Sequence, residues 1–146
     1  MNILNKHKGF TLLELISVMA IISILSTIAV PSFVQQIKQQ RIISNINHLH
    51  STFKFARSES AKRSQLILLD EAAGSWHVKF EGNTLASFTP TDASITVTGL
   101  VDHSVQATGE TVAGNYLVTD NDTSTTDYRL CIYVSGQSYI SSQACA

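Results

Sequence analysis

These 146 residues lack several common catalytic signatures. There is no Walker glycine loop, no G-x-G-x-x-G, no H-E-x-x-H, no C-x-x-C and no nucleophile-elbow serine. Nucleotide-dependent, metallohydrolase, thiol-redox and serine-hydrolase chemistry therefore has no motif to rest on. The histidines are scattered. His48 and His50, two apart on a predicted helix, do not share a face for a metal, His77 alternates along a predicted strand, and His103 falls in a loop-like stretch. The sequence points to no catalytic residue, no metal ligand and no cofactor, and the chain is expected not to be an enzyme.

Charge is also scarce, at 14% of residues, and its distribution is uneven. From Phe10 to Phe33 the only charged residue is Glu14. An apolar run of that length, helical at about 1.5 Å per residue, crosses roughly the 30 Å of bilayer hydrocarbon. Lys6 and Lys8 ahead of it should remain on the cytoplasmic side and send the rest of the chain outward. Residues 35–63 hold six bases against Glu59 alone, a net +5. Residues 64–146 hold two bases, Lys79 and Arg129, against nine acids, a net −7, which predicts an acidic, solvated domain. The remaining length leaves room for one domain with a modest core.

Cysteine is limited to Cys131 and Cys145. In a chain that opens with an export-type segment, the pair suggests an oxidising compartment and a disulfide, worth on the order of 3 kcal/mol for so short a loop. The alternative is two buried free thiols.

Lys8, Gly9, Phe10, Thr11, Leu12, Leu13, Glu14 and Leu15 resemble the processing signature of type IV prepilins and pseudopilins. Unlike a secretory signal, the cut would fall before the apolar run rather than after it. The resemblance implies cleavage between Gly9 and Phe10 by prepilin peptidase, methylation of the new Phe10 amine, and retention of the apolar helix in the mature subunit. It also implies a role for Glu14, a carboxylate that would be expensive in a membrane without a purpose. In this family that residue neutralises the N-terminal amine of a neighbouring subunit during assembly. The plainer alternative is a carboxylate close enough to the helix start to reach the interface and the positive helix end. Pro31 removes a backbone donor and should bend or locally open the helix. In pilins this resembles the edge of a segment that loosens in the filament, and a simple kink near the membrane surface is the alternative.

Beyond Pro31, Ile37, Ile42, Ile43, Ile46, Leu49, Phe53 and Ala56 recur at helical spacing and predict a helix that lays one face on a sheet. Arg57–Arg63 reads as its solvated basic end. Short β-rich segments follow at 65–69, 76–80, 85–88, 95–98, 116–119, 128–134 and 138–140, separated by turn-forming clusters. Trp76 reads as a core aromatic. Residues 120–127, DNDTSTTD, predict an exposed loop, with a calcium site through Asp120, Asp122 and Asp127 weighed and set aside for want of the glycine and terminal glutamate of a calcium loop. A two-residue turn at Gly136–Gln137 would place Cys131 opposite Ser142, so a disulfide to Cys145 needs a longer turn, a bulge or a tail that folds back.

The stretch Phe53–Arg63 with residues 65–69 and Gly74–Val78 resembles the GspH/FimT group of minor pilins and pseudopilins. The fold expected is therefore α+β, the type IV pilin fold. Residues 1–9 would be the leader, 10–34 the membrane and filament-core helix, 35–63 the amphipathic helix, and 64–146 an antiparallel β head. The function implied is a minor pilin at or near the tip of a type IV pilus, with a type II secretion pseudopilin as the alternative. Prepilin peptidase, other pilins, the inner-membrane assembly platform and membrane lipid would be its partners. The location implied is the inner membrane, single-pass with the head in the periplasm, and then the filament. Some members of the group capture DNA through arginines in a turn near the C-terminus. Here that turn, Val134–Tyr139, keeps Gly136 and has no arginine, so a DNA-binding minor pilin is the weaker alternative.

Overall fold

We describe residues 10–145 of a computed structural model. Its elements are one helix, α1 (Leu12–Arg63), and eight strands: β1 (Ile67–Ala72), β2 (Ser75–Phe80), β3 (Asn83–Phe88), β4 (Thr96–Thr98), β5 (His103–Val105), β6 (Gly114–Thr119), β7 (Tyr128–Ile132) and β8 (Ser138–Ser141). They fall into two units, one up to Gln36 and one from Ile37 onward.

In the first unit, Thr11 caps the helix: its hydroxyl accepts from the Glu14 N–H at 3.2 Å, and its carbonyl accepts from Leu15. Pro31 lies inside α1, where its ring removes the donor that would have bonded the Thr27 carbonyl.

The second unit is built on one face of α1. Ile42, Ile46, Leu49, Phe53 and Ala56, spaced alternately by four and three, are all buried, as one stripe of a 3.6-residue helix requires. Ile37, which the same periodicity would include, is exposed. The helix ends in a Schellman motif. Gln65 N–H donates to the Ser60 carbonyl and Ser64 N–H to the Ala61 carbonyl, with Ser64 left-handed at φ 54°.

Antiparallel strands then form two four-stranded sheets, ordered β3-β2-β1-β5 and β4-β6-β7-β8. The turns Ala73–Gly74 and Glu81–Gly82 have positive φ at both residues, the geometry that matches strand twist in a two-residue hairpin. After β3 the chain crosses to the second sheet for β4, returns for β5, and crosses again for β6. Leu69, Trp76, Val78, Phe88 and Val105 from one sheet join Tyr116, Val118, Leu130 and Ile132 from the other, and the helix stripe, in a single buried cluster. The Trp76 indole N–H donates to the Val101 carbonyl at 2.8 Å, so the largest core side chain leaves no orphan donor.

The α+β class and the helix-on-sheet packing match the expectation, and four details correct it. His103 is not in a loop: it starts β5 and is buried. The first strand begins at Ile67 rather than Gln65, because the Schellman turn uses residues 64 and 65. The final hairpin turns over Tyr133–Gln137, with Ile132 opposite Ser138 and Cys131 opposite Tyr139. Residues 142–145 then fold back, and Cys145 is bonded to Cys131 with their Cα atoms 5.6 Å apart. The basic end of α1 is not wholly solvated either, since Glu59 and Ser60 are buried there.

Candidate functional site

Among the described residues, one helix is long and apolar enough to cross a membrane. Phe10, Leu12, Leu13, Ile16, Met19, Ile24 and Ile28 are all open to the surroundings in this chain. The hydroxyls within the run are satisfied locally: Ser17 donates to the Glu14 carbonyl, Ser23 to Met19, Ser26 to Ile22 and Thr27 to Ile24, at 2.7–2.9 Å. No hydroxyl in that set is left seeking water in hydrocarbon. Glu14 differs. It is exposed, stands in the first turn of the helix, and has no ion pair among the described residues, so it keeps its capacity for a partner outside the chain.

Of the expected site residues, Phe10, Glu14 and Pro31 thus share the first unit, and Cys131 and Cys145 meet in the second. Gly9 lies outside the described residues. Thr11 was not singled out from the sequence, although the T-x-x-E pattern from Thr11 to Glu14 is the signal that would have found it.

In the second unit the bases of α1 tie loops to the helix. Lys38 Nζ lies 2.6 Å from Asp122 Oδ2 and Arg41 Nη1 lies 2.9 Å from Asp92 Oδ2. The Lys38 ammonium, with the Ser124 N–H and hydroxyl, holds the Asp122 carboxyl well below the usual carboxylate range. Gln39 adds two bonds to Thr126, accepting from its N–H and donating to its carbonyl. Asn45 is fully buried and bonds the Thr91 N–H and hydroxyl as well as the Arg41 carbonyl. Residues 120–127 are therefore a docked loop rather than a free one, and Asp122 is committed to Lys38. At the other end, Glu59 takes both Arg63 and Lys62, and the Arg63 guanidinium covers the Phe80 ring at 4.6 Å.

Two histidines are perturbed. Burial lowers the His103 pKa, and this side chain packs among Phe53, Trp76 and Tyr116. Its Nδ1 is 2.9 Å from the Tyr116 hydroxyl, and its Nε2 is buried with no hydrogen-bond partner. Burial also pushes the Tyr116 hydroxyl up to about 12. His50, half-buried, is lowered by burial and then by Lys54 nearby. No group of three or more His, Cys, Asp or Glu among the described residues could hold a metal ion. The Nε2 of His50 lies 2.9 Å from the Ser138 hydroxyl.

Residues 4–30 match the prokaryotic N-terminal methylation motif. Two crystal structures of the type IV minor pilin FimU of Pseudomonas aeruginosa strain PAO1 resemble the chain. One, at 14% identity, covers 70% of this chain and 89% of that one with a TM-score of 0.61. The other, at 16% identity, covers 67% and 90% with a TM-score of 0.53. No curated protein matches the sequence. The chain thus joins an N-terminal methylation motif leading into an apolar helix to a head whose fold is like that of these minor pilins.

Proposed function

We propose that the chain is a structural minor pilin. In this reading prepilin peptidase cuts between Gly9 and Phe10, the apolar helix first anchors the subunit in the inner membrane with its head in the periplasm, and the assembly platform then inserts it at or near the tip of a type IV pilus. The observation that carries the reading is the division of labour in the sequence. An apolar helix with one carboxylate, Glu14, four residues after Phe10 and without an ion pair among the described residues, precedes a head that encloses its own core. A membrane is a sufficient cover for such a helix before assembly, and a bundle of like helices is a sufficient cover after it.

The cation inventory supports filament architecture over DNA capture. Of the six bases on residues 37–63, Lys38, Arg41, Lys62 and Arg63 are already in ion pairs. Phosphate binding draws most of its affinity from free Lys and Arg. The deciding experiment has two readouts in cells that assemble pili: the mass of the mature N-terminus and the presence of the chain in sheared filaments. Cleavage at Phe10 with recovery in filaments is expected. A processed chain that never leaves the membrane fraction would overturn the assignment to the filament.

A further inference from the structure

Two neighbouring cations on the head's stretch of α1 remain unmatched. Lys54 and Arg57 are one helical turn apart on α1, and neither makes an ion pair within the described residues, in contrast to the four bases discussed above. Together with Ser58, Ala61, Thr108 and Gly109 they line an open groove of about 410 Å³. At spacings of three, four and seven residues from Lys54, the helical wall of this groove is one face of α1.

The groove is built, since the chain has shaped two turns around Arg57. Its Nη2 donates to the Ser135 carbonyl at 3.5 Å. A Cβ on Gly109 would stand 3.1 Å from Arg57 Nε, and one on Gly136 would stand 2.9 Å from the same atom and collide with the Gly109 carbonyl oxygen. Side chains at either glycine would therefore displace the guanidinium or part the turns. The nearby titratable groups are Glu110, which receives a weak bond from the Thr108 hydroxyl at 3.4 Å, and His50, one turn before Lys54 on α1. Neither neutralises the cations, and the pKa of His50 is itself lowered in part by Lys54.

The same head carries a complementary projection. Glu81 is exposed at the tip of the β2–β3 hairpin and makes no ion pair among the described residues. The residue before it, Phe80, lies under Arg63. Arg63 is nine residues from Lys54, about half a turn around the helix at roughly 100° per residue. Groove and projection are thus on different sides of one head. A contact between them in two copies cannot be mutual, so it is heterologous.

We propose that the groove lined by Lys54, Arg57 and Thr108 receives the Glu81-bearing hairpin tip of a second copy of this chain. The proposal rests on the filament-subunit reading. Two cations in the setting of an acidic head favour a carboxylate over a polyanion, which would meet repulsion from the net −7 of residues 64–146.

The test uses the full-length chain in detergent, as an equal mixture of ordinary and isotopically heavy copies, treated with a zero-length carbodiimide and mapped by peptide mass. A mixed-isotope link between Lys54 and Glu81 is expected. It should be absent in Glu81→Gln, which offers the carbodiimide no carboxyl and so checks the assignment of the link. It should weaken in Arg57→Ala, weaken with salt, and return in the double variant Lys54→Glu/Glu81→Lys. Intermolecular links through other pairs only, or no mixed-isotope link at all, would overturn the proposal. So would protection of Lys54 by added duplex DNA without a link to Glu81, which would assign the groove to a polyanion. The N-terminal mass read from the same sample separates the two ideas: a chain cleaved at Phe10 but unlinked loses the groove contact and keeps the subunit reading, while a linked chain still bearing Met1 does the reverse.

Discussion

The Lys38 ammonium and the Asp122 carboxylate meet at 2.6 Å, joining residues 84 positions apart. With Arg41 on Asp92, this contact converts a basic segment that looks available in the sequence into a fastening for two acidic loops. The head fragment from Ile37 onward should accordingly bind duplex DNA no more tightly than the ~10⁻⁴ M end of ordinary non-specific association at physiological salt. A titration at low salt, where screening is weakest, gives DNA its best chance. Low-micromolar binding there that disappears when Lys62 and Arg63 are neutralised would move the function to DNA capture.

Gly136 and Gly82 offer a matched comparison, because both have positive φ but only one is enclosed. A Cβ at Gly82 meets nothing within 4 Å, so Gly82→Ala should cost about 1 kcal/mol of left-handed strain. At Gly136 the same methyl would run into the Gly109 carbonyl and Arg57, and the loss should reach about 3 kcal/mol. Urea midpoints of the two variants decide this, and equal shifts would mean that the turns around Arg57 part freely.

His103 should make the head acid-sensitive. Its folded pKa lies below the ordinary value of 6.5, so below about pH 6.5 the unfolded chain takes up a proton that the folded one refuses. Stability is then full above that pH and declines as pH falls toward the folded pKa, by up to about 1.4 kcal/mol per pH unit for one proton. His50 contributes in the same direction. Unfolding measured between pH 7 and pH 5 should show this slope, and His103→Phe should flatten it while lowering stability throughout, since the Tyr116 hydroxyl loses its partner. An unchanged slope in that variant would place the acid sensitivity elsewhere.

What the sequence made legible follows from how local each signal is. The apolar run and the stripe from Ile42 to Ala56 are written in neighbouring residues of the chain itself, so a long apolar helix, its amphipathic continuation and the α+β class could be read directly. The strand at His103–Val105 could not, because three residues carry too short a pattern and its pairing with Ile67–Leu69 is a long-range contact. Asn45 is a polar residue in a helix interior whose purpose is visible only once Thr91, 46 positions away, is in place. The disulfide pair was visible as composition, and the expectation that it needs a longer turn or a tail that folds back is met by the five-residue turn and the returning residues 142–145. Lys54 and Arg57 look like Lys38 and Arg41 in the sequence, and only the fold separates unmatched cations from matched ones.

Processing should leave Phe10 as the first residue of the mature chain. Substituting Gly9 with a residue that bears a large side chain should block cleavage, and the intact mass of the membrane-extracted protein reports it. Full-length chain in cells with active prepilin peptidase would contradict the reading of residues 8–15.

Glu14 should matter for assembly and not for folding of the head. It stands in the first turn of α1, and none of the buried core residues, which run from Ile42 to Ile132, lies in its unit. Glu14→Ala should therefore leave the head's unfolding midpoint unchanged. Incorporation into filaments should fall sharply. If the carboxylate's partner is the amine of a neighbouring Phe10, its removal leaves a charged amine among apolar helices, and breaking a buried pair in this way costs about 3–5 kcal/mol. Glu14→Asp keeps the charge on a shorter stem and should retain part of the incorporation, whereas Glu14→Gln keeps the shape without the charge and should behave like Ala. Wild-type incorporation of Glu14→Gln would show that hydrogen bonding or shape suffices, and would remove the amine of a neighbouring subunit as the reason for a carboxylate in this helix.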